Sequence, residues 1–61
     1  MFIEVSSNSE KFIVNTSEIV SIYVSNESTI IEFTHIVNGT STKLFVDQSY
    51  DELLRLVGVK E

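Results

Sequence analysis

Residues 29–46 read TIIEFTHIVNGTSTKLFV, and the Asn38-Gly39 pair at their centre decides the fold. Both residues tolerate positive φ, which a two-residue type I′ hairpin turn requires. Before the turn, Thr29, Ile31, Phe33, His35 and Val37 alternate with Ile30, Glu32, Thr34 and Ile36. The first set is the more apolar, so it faces a core. Pairing Val37 with Thr40 sets Phe33 against Leu44 and Ile31 against Val46 on that side. On the other side Thr34 meets Lys43 and Glu32 meets Phe45, with Glu32 diagonal to Lys43. A one-residue slip would send every apolar side chain to the wrong face.

The same test extends upstream. Pairing Val24 with Thr29 across a loop of residues 25–28 aligns Ile22 with Ile31 and Val20 with Phe33, which gives a strand over 19–24. Tyr23 then faces Ile30, an aromatic to β-branched pair. Asn15-Thr16-Ser17-Glu18 reads as a turn, and residues 2–5 and 11–14 form a first hairpin around SSNSE.

Downstream the period changes. Tyr50, Leu53, Leu54 and Val57 recur at i, i+3, i+4 and i+7, one stripe of a short helix. Ser49 is a natural N-cap, with Glu52 three residues later as in a capping box. Asp51 and Glu52 suit the positive end of the helix dipole, and Gly58 suits its C-terminal stop. Two turns of helix are unstable alone, so this one must dock on the sheet. The predicted fold is mainly β (α+β), a five-stranded antiparallel meander or small curled barrel with a short C-terminal helix. It occupies one domain over 1–61.

Sixty-one residues lie near the lower limit for independent folding, where only about 60% of the unfolded surface is buried. Such domains often lean on a metal, disulfides or a partner. There is no cysteine and a single histidine, which excludes disulfides and leaves no thiolate or imidazole set for a metal. A partner surface is the remaining aid. The net charge of −5 opposes binding to nucleic acid, which needs Lys and Arg to displace counterions. It leaves open a nucleic-acid-associated regulator or an acidic DNA mimic as the alternative to a protein-binding module. No signal peptide or membrane span is visible, and the expected location is cytoplasmic. The N-x-S/T triplets at Asn15, Asn26 and Asn38 are then products of a Ser/Thr/Asn-rich composition rather than glycosylation sites. The abundant Asn, Ile, Ser and Lys suit a low-GC bacterium or its phage.

His35 is the one side chain that titrates near neutrality in its ordinary state. Catalysis by it would need a nucleophile or an orienting carboxylate nearby. Its expected neighbours, Thr42, Phe33 and Val37, supply neither, so it reads as a partly buried structural residue on the core side. Asp47, Asp51 and Glu52 could hold a divalent cation, but their spacing is not that of a calcium loop, and capping accounts for the last two. Lys11, Lys43, Arg55 and Lys60 are too scattered for a basic stripe. No phosphate loop, nucleophile elbow or paired-carboxylate motif occurs. Neither a cofactor nor an enzymatic activity is expected.

The face opposite the core remains. It carries Ile19, Tyr23, Ile30, Ile36 and Phe45, more than so short a helix can cover. Such a face either closes a barrel or meets another subunit. These five residues are the candidate interface of a homo-oligomer.

The segments KFIVNTSEIVSI, TIIEF and NGTSTKLFVDQSYDELLRLV resemble the small flagellar and motility proteins of the FlbD/SwrD type. In that family an Asn-x-x-x-Ile turn precedes a strand, an Asn-Gly hairpin leads into a Val strand, and a Ser-x-x-Glu helix closes the domain. Asn15, Ile19, Asn38, Gly39, Val46, Ser49 and Glu52 stand at the matching places, while the segment before the Asn-Gly turn is longer here by several residues. The resemblance implies a non-enzymatic accessory or regulatory protein that works by protein contact. In strand and helix order alone, the chain is also similar to the CsrA-type carbon-storage regulators. Their basic RNA-binding edge has no counterpart here.

Overall fold

In a computed structural model, which describes residues 1–58, the chain is mainly β with one helix. The order is β1 (Phe2–Ser7), β2 (Glu10–Asn15), a 3-10 turn (Thr16–Glu18), β3 (Ile19–Ser25), β4 (Ser28–Val37), β5 (Thr40–Val46) and α1 (Tyr50–Val57). The strands do not form one continuous meander. They divide into two antiparallel sheets, β1-β2 and β3-β4-β5. Lys60 lies outside the described residues.

All three hairpins turn on two residues at positive φ. The pairs are Asn8-Ser9 (52° and 68°), Asn26-Glu27 (50° and 64°) and Asn38-Gly39 (52° and 77°). Asparagine opens each pair because its short amide tolerates the left-handed region. The loop expected over 25–28 therefore tightens, and Ser25 pairs directly with Ser28.

Two bulges correct the register. Between β3 and β4, Val24–Thr29, Tyr23–Ile30 and Ile22–Ile31 pair as expected, but Ile19 rather than Val20 faces Phe33. Val20 is the extra residue of a bulge and is 61% exposed. That one-residue slip rotates Ile19 from the outer face onto the core side, where it packs against the buried cluster. Between β4 and β5, Val37–Thr40 and Ile36–Ser41 hold. Beyond them three β4 residues, Phe33, Thr34 and His35, lie opposite Thr42 alone. Ile31 then faces Leu44, Thr29 faces Val46, Ile30 faces Phe45 and Glu32 faces Lys43. A displacement of two keeps every residue on its expected face and changes only its partner.

The core is Ile3, Val5, Ile31, Val46 and Leu53, ringed by Val14, Ile19, Ile22, Phe33, Leu44 and Val57. Both sheets and the helix contribute, so none of the three layers is closed without the others. The helix ends follow from its caps. The Ser49 hydroxyl accepts from the Glu52 amide at 3.2 Å. Gly58 sits at φ 82°, and its N–H donates to the Leu54 and Arg55 carbonyls at 3.0 and 3.2 Å.

The two sheets are clamped where β1 and β5 end. The Asp47 amide donates to the Ser6 carbonyl at 2.7 Å, and the Ser6 amide donates to Gln48 Oε1 at 3.0 Å. The Gln48 amide group returns a bond to Ser6 Oγ at 3.1 Å, and the Ser7 hydroxyl donates to the Phe45 carbonyl. The clamp fixes the first hairpin against β5 and leaves the outer face of β3-β4-β5 turned away from it.

Candidate interaction face

Register determines what the outer face of the three-stranded sheet presents. One row across the strands is Ser21, Glu32 and Lys43; the next is Tyr23, Ile30 and Phe45. Ile36 and Ser41 form a further row toward the Asn38-Gly39 turn. Phe45 is 57% and Ile36 63% exposed. Tyr23 is half-buried. Ile30, in the central strand between those two aromatics, keeps only 4% of its surface. Of the five residues expected to share this face, Ile19 has turned inward and Ile30 is covered by its own chain. Tyr23, Ile36 and Phe45 remain available for contact.

The expected register also hid a feature of this face. Glu32 and Lys43 are direct cross-strand partners rather than diagonal ones. The Ser21 hydroxyl donates to Glu32 Oε1 at 2.9 Å, which steadies the carboxylate in the row. Direct pairs of opposite charge stabilise a sheet, here by about 0.2–1 kcal/mol.

A second exposed apolar pair lies on the first hairpin. Phe2 and Ile13 are 68% and 67% exposed. With Glu4 opposite Ile13 and Lys11 opposite Ser6, they occupy the outer face of β1-β2. The alternation of Phe2 and Glu4 with the buried Ile3 and Val5 is the sequence signal that reveals this face.

The remaining candidates take other roles. His35 is exposed rather than partly buried on the core side. It belongs to the three-residue bulged stretch, whose irregular backbone breaks the alternation that would turn it inward. The Asp47 carboxylate is occupied within the chain, accepting from the Asn8 and Ser9 amides at 3.2 and 3.0 Å. The Ser9 amide has the largest influence on its acidity. With the Asn8 amide and the Ser6 side chain, it outweighs desolvation and holds the carboxyl below the ordinary aspartate range. Asp51 and Glu52 stand in the first helical turn. Among the described residues, no three His, Cys, Asp or Glu side chains gather to hold a cation. Thr42 Oγ1, opposite the β4 bulge, is buried without a hydrogen-bond partner. Among the described residues no helix is long and apolar enough to cross a membrane.

Neither a family model, nor a curated protein, nor a solved structure matches the chain.

Proposed function

We propose that this chain is a small non-enzymatic interaction or regulatory module. It acts in the cytoplasm of a bacterium or of a phage-infected cell by binding protein through the outer face of β3-β4-β5. The observation that carries this reading is the pair of large apolar side chains, Phe45 and Ile36, each more than half exposed on one side of a rigid sheet. Exposed aromatic and branched side chains on an ordered surface are what protein interfaces desolvate. The face carries one base and one acid, so it lacks both the positive field that nucleic acid requires and the dense negative charge of a DNA mimic. The resemblance to the FlbD/SwrD-type proteins points the same way, toward an accessory protein working by contact.

A photo-crosslinking amino acid at position 45, compared with one at the exposed turn residue Glu27, tests the reading in cells. Cross-linked protein is expected from position 45 and not from position 27. Equal or absent cross-linking at the two positions would refute it.

A further inference from the structure

We infer that the occupant of this face is a second copy of the same chain, stacked sheet on sheet about a two-fold axis that runs parallel to β4 and β5 between them. This rests on the reading above and names the partner of that same face.

Charge selects the occupant. The whole chain carries −5, yet the outer face holds a single acid, Glu32, beside a single base, Lys43. The other acids of the described residues lie elsewhere. Glu4 and Glu10 belong to the first hairpin, Glu18 to the 3-10 turn and Glu27 to a turn tip. Asp47 sits in the clamp, and Asp51 and Glu52 open the helix. A basic partner would find little to recognise on a locally neutral face, whereas a second acidic chain meets the least repulsion there.

Geometry fixes the arrangement. A two-fold axis along the strands, midway between β4 and β5, carries each residue of one strand over its cross-strand partner in the other copy. Glu32 then comes to rest over the second copy's Lys43, and Lys43 over its Glu32. Both ionic contacts form at once, as an isologous interface demands. The same operation lays Phe45 over the row of Tyr23 and Ile30, and Ile36 over Ser41. Strand directions stay aligned, the usual arrangement of stacked sheets.

The other exposed face fails this test. On β1-β2 the partner of Glu4 is Ile13 and the partner of Lys11 is Ser6. The equivalent axis would bury the Glu4 carboxylate on Ile13 without a cation. Only the β4-β5 face is complementary to itself.

The footprint is modest. Seven residues of strand by three strands spans roughly 24 by 14 Å. That lies at the lower end of interfaces that persist in solution, so the dimer is sought up to about 1 mM chain.

Charge reversal tests the pairing by sedimentation and native mass spectrometry. Glu32→Lys places Lys over Lys twice and Lys43→Glu places Glu over Glu twice. Each is expected to weaken dimerisation by roughly 100-fold or more. Mixing the two variants restores both contacts and is expected to yield the heterodimer. Far-ultraviolet circular dichroism of each variant distinguishes lost association from lost folding. A wild type that stays monomeric at about 1 mM overturns the inference. So do single variants that dimerise as well as wild type, or folded variants that fail to form the heterodimer. Cross-linking from position 45 to a different protein, with the wild type monomeric, would refute self-association and leave the interaction reading standing.

Discussion

Leu53 is the side chain on which helix docking depends. It is fully buried and packs in the cluster with Ile3 and Val5 of one sheet and Ile31 and Val46 of the other. Leu56, on the same helix, is 41% exposed. Truncating a buried leucine to alanine removes its transfer free energy and leaves a cavity, together costing about 2–5 kcal/mol. A 61-residue domain has a total stability of only about 3–9 kcal/mol at typical values per residue. Leu53→Ala is therefore expected to remove half or more of it, leaving a population that is partly unfolded at room temperature. Leu56→Ala should cost less than about 1 kcal/mol, since much of that side chain already sits in water. Leu53→Met, which conserves volume, should cost less than about 1.5 kcal/mol. Urea unfolding followed by circular dichroism reads all three as midpoint shifts at constant slope. A loss below about 1 kcal/mol for Leu53→Ala, or an equal loss for Leu56→Ala, would refute a core closed by the helix.

Three further perturbations probe the register and the clamp. Val20→Ser should cost less than about 1 kcal/mol and Ile19→Ser clearly more, because the bulge exposes Val20 and packs Ile19; the reverse order in urea unfolding would restore the unbulged register. Thr42→Val keeps the side-chain shape and removes a buried hydroxyl that lacks a partner, so it should stabilise the fold by about 1 kcal/mol, read as a raised urea midpoint. Asp47 is more acidic folded than unfolded, so its contribution is present above the unfolded value and is lost as pH falls through the lower folded value. Asp47→Asn should accordingly flatten the acid limb of the stability–pH curve below about pH 4, and an unchanged limb would remove Asp47 from the clamp.

Where the sequence was legible, local chemistry agreed with the fold. Asn38-Gly39 marks its hairpin because both residues accept positive φ, and the Ser49, Glu52 and Gly58 signals bound the helix found at Tyr50–Val57. Tyr23 and Ile30 pair as alternation requires. Bulges were not legible. Val20 is as apolar and β-branched as any core residue, and nothing local marks it as the extra member of the ladder. The bulge turns Ile19 inward and so removes it from the expected interface. The three-residue bulge opposite Thr42 similarly exposed His35 and turned the diagonal Glu32–Lys43 relation into a direct one. Alternation assigned Ile30 its face correctly but could not show that Tyr23 and Phe45 would flank it on both sides. The division into two sheets was also hidden, because the clamp around Ser6, Asp47 and Gln48 joins residues about forty apart through polar groups that carry no periodic signal.

Amide NMR spectra recorded from about 20 μM to about 1 mM chain compare the two exposed faces in one experiment. Self-association through β4 and β5 requires concentration-dependent shifts at Glu32, Ile36, Lys43 and Phe45, with Phe2, Glu4 and Ile13 unmoved. Shifts confined to Phe2 and Ile13, or a spectrum that does not change with concentration, would contradict it.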